Sequence, residues 1–65
     1  MRIDLNGAPV ETAAATLADL IAERDLPEQS VATALDGQFI PRTARAQARL
    51  EPGARVEILS PMQGG

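Results

Sequence analysis

The sequence predicts an α+β domain, a small mixed sheet with one main helix packed across it. Three observations carry that expectation. Apolar and polar residues alternate with period 2 at both ends of the chain, in "MRIDLN" and in "RVEILS". Two turn dipeptides, Asn6-Gly7 and Asp36-Gly37, each stand between short extended runs. A single stretch, "TLADLIAERDLP", has helical spacing, with Leu17, Leu20 and Ile21 at i, i+3 and i+4.

In "MRIDLN", Met1, Ile3 and Leu5 fall on one side and Arg2 and Asp4 on the other, the pattern of a half-buried strand. Asn6-Gly7 favours the positive φ of a tight hairpin, so "APVET" returns antiparallel to that strand. The helix follows, about two to three turns long, with Thr16 as its N-cap, Asp19 at the third helical position and Pro27 beyond its end. "SVATALDGQFIPR" sets Val31, Thr33 and Leu35 in alternation, turns at Asp36-Gly37, and offers Phe39-Ile40 before Pro41 stops the pairing. "TARAQAR" has helix-forming composition without an apolar stripe and reads as a surface turn or a single helical turn. Pro52-Gly53 makes a further turn. The last strand then places Val56 and Ile58 on one face and Arg55, Glu57 and Leu59 on the other. The β-grasp arrangement fits this order of elements. It puts the first and last strands side by side and parallel in the middle of the sheet, where Ile3, Leu5, Val56 and Ile58 share a core with Leu17, Leu20 and Ile21.

A chain of 65 residues sits near the lower limit for a single core and buries only about 60% of its unfolded surface. One domain is therefore expected over residues 1–59, followed by a flexible C-terminal tail at 60–65. Cysteine is absent, so the core must hold the fold without disulfides or a zinc site. No apolar run approaches the ~18 residues that span a bilayer, and "MRIDLNG" has no hydrophobic leader segment, so the expectation is a cytoplasmic protein with no membrane partner. Six basic residues, all arginine, against nine acidic ones give a net charge of −3, and Phe39 is the one aromatic. Neither the basic stripe nor the stacking platform of a nucleic-acid binder is present. The chain also lacks histidine, cysteine, tyrosine, tryptophan and lysine. That removes the usual general bases, the thiol nucleophile, the Schiff-base amine and most transition-metal ligands, so neither catalytic residues nor a metal site are expected. The carboxylates fall on polar faces or in turns, where solvation accounts for them.

What remains is "SPMQGG". If Leu59 closes the last strand, Ser60 to Gly65 extend up to about 20 Å at ~3.4 Å per residue, enough to enter another protein's active site. Gly64 and Gly65 have no Cβ, so a narrow channel can close around their backbone, and Pro61 stiffens the base of the tail. A free α-carboxylate is an anion at neutral pH and a poor electrophile, so it needs activation before it can carry anything. Two terminal glycines also suit a frayed chain end.

Four stretches, "LNGAPVE", "TLADLIAE", "VATALDGQFIPR" and "VEILSPMQGG", resemble in order and spacing the sulfur-carrier proteins of thiamine biosynthesis, the ThiS family, which are ubiquitin-like β-grasp proteins. The "ALDGQFIPR" block discriminates better than the diglycine, which all ubiquitin-like carriers share. The resemblance implies a cycle on Gly65. An E1-like adenylyltransferase (ThiF-type) uses ATP to convert the terminal carboxylate to an acyl-adenylate, and a persulfide from a cysteine desulfurase pathway delivers sulfur. The resulting thiocarboxylate serves thiazole synthase (ThiG-type) as it builds the thiazole phosphate. In such a cycle the chain is a carrier and not an enzyme, binds no cofactor of its own, and leaves all catalytic groups to its partners.

By the same resemblance Met62, Gln63, Gly64 and Gly65 form the tail that enters partner active sites. Phe39, Leu59, Met62 and Arg42 are the candidate docking residues. Leu59 qualifies by alternating away from the Val56 and Ile58 face, Met62 by lying beyond the last strand, and Arg42 by matching the family position. Phe39 reads equally well as core. "TARAQARL" and "EPGA" depart from the family, in which an acidic or aromatic residue often follows Pro-Arg and an acidic turn often precedes the last strand. The alternatives are the small subunit of molybdopterin synthase, usually a longer chain, a ubiquitin-like modifier that forms isopeptide bonds on lysines of other proteins, and a structural domain with an inert tail.

Overall fold

Both turn dipeptides close hairpins. Asn6 and Gly7 have φ of 53° and 85°, and Asp36 and Gly37 have 51° and 84°, the left-handed pair that lets a two-residue loop follow the twist of its strands. The structure, a computed structural model, describes residues 1–60. The first hairpin joins β1 (Arg2–Leu5) to β2 (Ala8–Glu11), and the second joins β3 (Ala32–Leu35) to β4 (Gln38–Ile40). Asp4 Oδ1 accepts the Gly7 N–H at 2.8 Å and tightens the first turn.

Between the hairpins lies α1 (Leu17–Glu23). Thr16 is extended at φ −133°, and its Oγ1 accepts the Asp19 N–H at 3.1 Å, satisfying one of the donors that a helix start leaves free. At the other end Asp25 takes a left-handed φ of 55°. The Leu26 and Asp25 N–H groups then donate back to the Ile21 and Ala22 carbonyls, each at 3.1 Å, so the helix stops before Pro27 is reached.

The sheet order is β2-β1-β5-β3-β4, with β5 (Arg55–Leu59) central. It runs parallel to β1, pairing Leu5 with Val56, and antiparallel to β3, pairing Ala32 with Leu59. This is the expected β-grasp arrangement, with the first and last strands adjacent. Ile3, Leu17, Leu20, Ile21, Val56 and Ile58 are buried together, and Ala14, Val31, Leu50 and Ala54 join them. Leu5, expected among them, is only half-buried, since β1 ends there and the hairpin begins.

"TARAQAR" corrects the sequence reading. The segment Arg42–Gln47 is a six-residue 3-10 helix, and its Arg45 is buried, only 4% exposed. The guanidinium donates from Nε to Thr33 Oγ1 (3.0 Å), from Nη1 to the Glu28 carbonyl (2.8 Å) and from Nη2 to the Val31 carbonyl (2.6 Å). Thr33 Oγ1 in turn donates to the Ile40 carbonyl at 2.7 Å. The buried head finds three fixed acceptors, which offset its removal from water. One arginine thus ties the 3-10 helix to β3 and to the α1–β3 connection.

Candidate functional site

The face of the sheet opposite α1 is built by the outward half of each strand's alternation. On β5 the pattern is strict, with Val56 and Ile58 buried and Arg55, Glu57 and Leu59 exposed. Register places Phe39 of β4 beside Ala34 of β3, Ala34 beside Glu57 of β5, and Ala32 beside Leu59. Two large apolar residues therefore flank two alanines. Phe39 is 66% and Leu59 64% exposed, and with Ala32, Thr33, Ala34 and Glu57 they line a shallow groove of about 100 Å³. The small side chains at 32 and 34 make the groove. Phe39 is thus on the surface of the domain rather than in its core.

Leu59 also borders a second depression, of about 260 Å³, lined by Gln29, Ser30, Val31, Ala32 and Ser60. The two depressions meet at the residue where β5 ends. Met62, Gln63, Gly64 and Gly65 lie outside the described residues. Arg42 is placed elsewhere. Its Nε stands 4.0 Å from Glu28 Oε1 with both side chains exposed, and it lines a separate depression with Ala18, Ile21 and Ala46 beside the helix.

The carboxylates hold turns and connections. Asp36 Oδ1 accepts the Arg55 N–H at 2.9 Å. Glu23 takes the Thr12 hydroxyl at 2.7 and 2.9 Å and the Ala13 N–H at 3.2 Å, fastening the β2–α1 connection to the helix. Among the described residues no group of three or more His, Cys, Asp or Glu is placed to hold a metal ion. Nor is any helix there long and apolar enough to cross a membrane.

Two residues escape a sequence reading. Arg45 carries a charge and so reads as surface. Asn6 reads as a turn residue, yet its Oδ1 accepts the Ile58 N–H at 2.9 Å and its Nδ2 donates to the Ile58 carbonyl at 3.1 Å. The only signal for that second role is the choice of asparagine, which alone among turn formers carries a peptide-like carboxamide.

Among the described residues, a five-stranded mixed sheet with a central last strand and one α-helix across it defines a ubiquitin-like β-grasp protein. The model of the ThiS family matches residues 3–65, and the chain belongs to that family. It is similar to the crystal structure of a thiamine biosynthesis protein, ThiS, from Geobacter metallireducens, at 26% identity and a TM-score of 0.83 over 100% of both chains. The solution NMR structure of a thiamine biosynthesis protein from the same organism gives the same identity and TM-score, over 100% of this chain and 88% of that one. No curated protein matches it.

Proposed function

We infer that the chain is a sulfur carrier of thiamine biosynthesis whose Gly65 carboxylate is adenylated, converted to a thiocarboxylate and used to supply sulfur for the thiazole ring. The observation that carries this reading is the family match over residues 3–65, which runs through the diglycine, on a domain whose central strand ends at Leu59. An E1-like adenylyltransferase of the ThiF type would draw the tail into its site, where the carboxylate attacks the α-phosphate of ATP and pyrophosphate leaves. The acyl-adenylate is electrophilic at carbon. A persulfide from a cysteine desulfurase pathway then attacks that carbon and AMP departs, and a further thiol cleaves the resulting acyl disulfide, becoming oxidised to a disulfide as the thiocarboxylate is released.

Thiazole synthase of the ThiG type takes the sulfur, and the carrier returns as carboxylate. The chain's own work is to present Gly65 and to be recognised. For recognition the groove between Phe39 and Leu59 is the natural surface, since an exposed aromatic and an exposed leucine beside two alanines offer apolar area at little cost to the fold. Met62 would extend that surface along the tail. Arg42 would contribute from a different side of the domain. The test is a chain lacking Gly64 and Gly65 in cells that depend on it for thiamine. Loss of thiamine-independent growth is expected, and unchanged growth would refute the reading.

A further inference from the structure

β1 ends at Leu5 while β5 runs on to Leu59, so one edge of the last strand outlives its partner. Main-chain groups of β5 alternate between its two neighbours. Toward β1, the Asp4 N–H donates to the Ala54 carbonyl at 2.8 Å and the Asn6 N–H to the Val56 carbonyl at 2.9 Å. Toward the other hairpin, the Asp36 N–H donates to the Arg55 carbonyl at 2.7 Å. The next residue to face β1 is Ile58, and β1 has already turned away. Both of its main-chain groups are met by one side chain, with Asn6 Oδ1 accepting the Ile58 N–H at 2.9 Å and Asn6 Nδ2 donating to the Ile58 carbonyl at 3.1 Å.

A carboxamide presents the same donor and acceptor as a peptide unit. Asn6 therefore replaces the strand residue that β1 lacks, while its φ of 53° carries the main chain into the hairpin. Aspartate would suit the turn but has no donor when ionised, and serine would suit it but has one hydroxyl oxygen where Asn6 sets two separate atoms against the Ile58 N–H and carbonyl.

We propose that Asn6 is the positioning residue for the sulfur-bearing tail. Its carboxamide holds Ile58 in the sheet on the side that β3 does not cover, so that the chain leaves the domain at Leu59 and Ser60 from a fixed point and in a fixed direction. This rests on the sulfur-carrier reading above. Paired on one side only, the end of β5 would fray, as strand ends with few contacts do. Each backbone freedom released there would have to be lost again when the Gly65 carboxylate enters a partner's site, which weakens binding without touching the chemistry.

Two variants separate the turn from the clasp. Asn6→Gly keeps a residue that accepts positive φ and removes the carboxamide. Asn6→Asp keeps the acceptor for the Ile58 N–H and removes the donor, and it serves as the test where Asn6→Gly lowers the folded fraction. Amide hydrogen exchange on the full chain, with no partner present, reads the clasp. The Ile58 amide should exchange about tenfold faster in Asn6→Gly, equivalent to about 1.4 kcal/mol, and by an intermediate factor in Asn6→Asp. The Leu20 and Asp36 amides should not change. With the adenylyltransferase and ATP, KM for the carrier should rise about tenfold while kcat stays within about twofold, the signature of lost ground-state binding.

Wild-type exchange at Ile58 in both variants would overturn the clasp, and faster exchange with unchanged KM would overturn its role in placing the tail. A wild-type chain that accepts no AMP would overturn the sulfur-carrier reading and with it the purpose assigned to Asn6, while the exchange data would still establish the clasp.

Discussion

Replacing Arg45 by methionine removes the charge and keeps most of the stem volume, which isolates what the buried guanidinium does. Wild type has three charge-assisted hydrogen bonds, to Thr33 Oγ1 and to the Glu28 and Val31 carbonyls. Each is worth ~1.5–3 kcal/mol in mutational series. Against them stands the cost of desolvating a guanidinium, several kcal/mol. Methionine abolishes both sides of that balance, so the outcome turns on the acceptors left behind. Glu28 is exposed and water can replace its donor, and Thr33 Oγ1 keeps its bond to Ile40. The Val31 carbonyl, on a buried residue, has neither remedy, and an orphaned buried acceptor costs ~1–3 kcal/mol.

The expected loss for Arg45→Met is therefore about 2 kcal/mol. Arg45→Ala also forfeits the two buried methylenes beyond Cβ, at ~0.8 kcal/mol each, for a total of about 4 kcal/mol. A domain of this size has only about 3–10 kcal/mol in all, so the methionine variant should lose about 8–16 °C in Tm and the alanine variant about twice that. Urea denaturation followed by far-UV circular dichroism is the assay, because the chain has no tryptophan or tyrosine to report by fluorescence. A methionine variant as stable as wild type, or more stable, would show instead that desolvation outweighs the three bonds.

Phe39→Thr and Leu59→Thr together should leave stability within about 1 kcal/mol, since both side chains are largely exposed. The same pair should weaken binding to the adenylyltransferase or to thiazole synthase at least about tenfold. Calorimetry on the purified partners checks this, and wild-type affinity would remove the groove from the docking surface. Gly37→Ala tests the second hairpin: a Cβ there meets nothing within 4 Å, and φ is +84°, so only backbone strain of about 1 kcal/mol is expected. A loss several times larger, measured by the same urea melts, would mean that the turn makes contacts beyond its conformation.

Local chemistry made most of the fold readable. Asn6-Gly7 and Asp36-Gly37 announce hairpins because few other dipeptides tolerate two positive φ values in succession. Thr16 announces the helix start by its hydroxyl, and the alternation of β5 separates Val56 and Ile58 from Leu59 without any tertiary information. What stayed hidden depends on where distant segments land. Arg45 is buried because Thr33, Glu28 and Val31 happen to present acceptors around it, and no local pattern in "TARAQAR" records those partners. Phe39 faces outward because its row across the sheet is the Ala34 and Glu57 row, a matter of register. Asn6 reaches Ile58 across a sequence separation of 52 residues. For the site, composition and the diglycine reached a carrier or modifier, and the likeness to a family supplied the sulfur.

Intact mass shows whether Gly65 carries sulfur. The chain is incubated with ATP, its adenylyltransferase and a persulfide source, beside a chain lacking Gly65. A gain equal to replacing one oxygen by sulfur is expected in the full chain alone. No gain and no trapped adenylate would contradict it, and a stable adduct with another protein would point to a modifier instead.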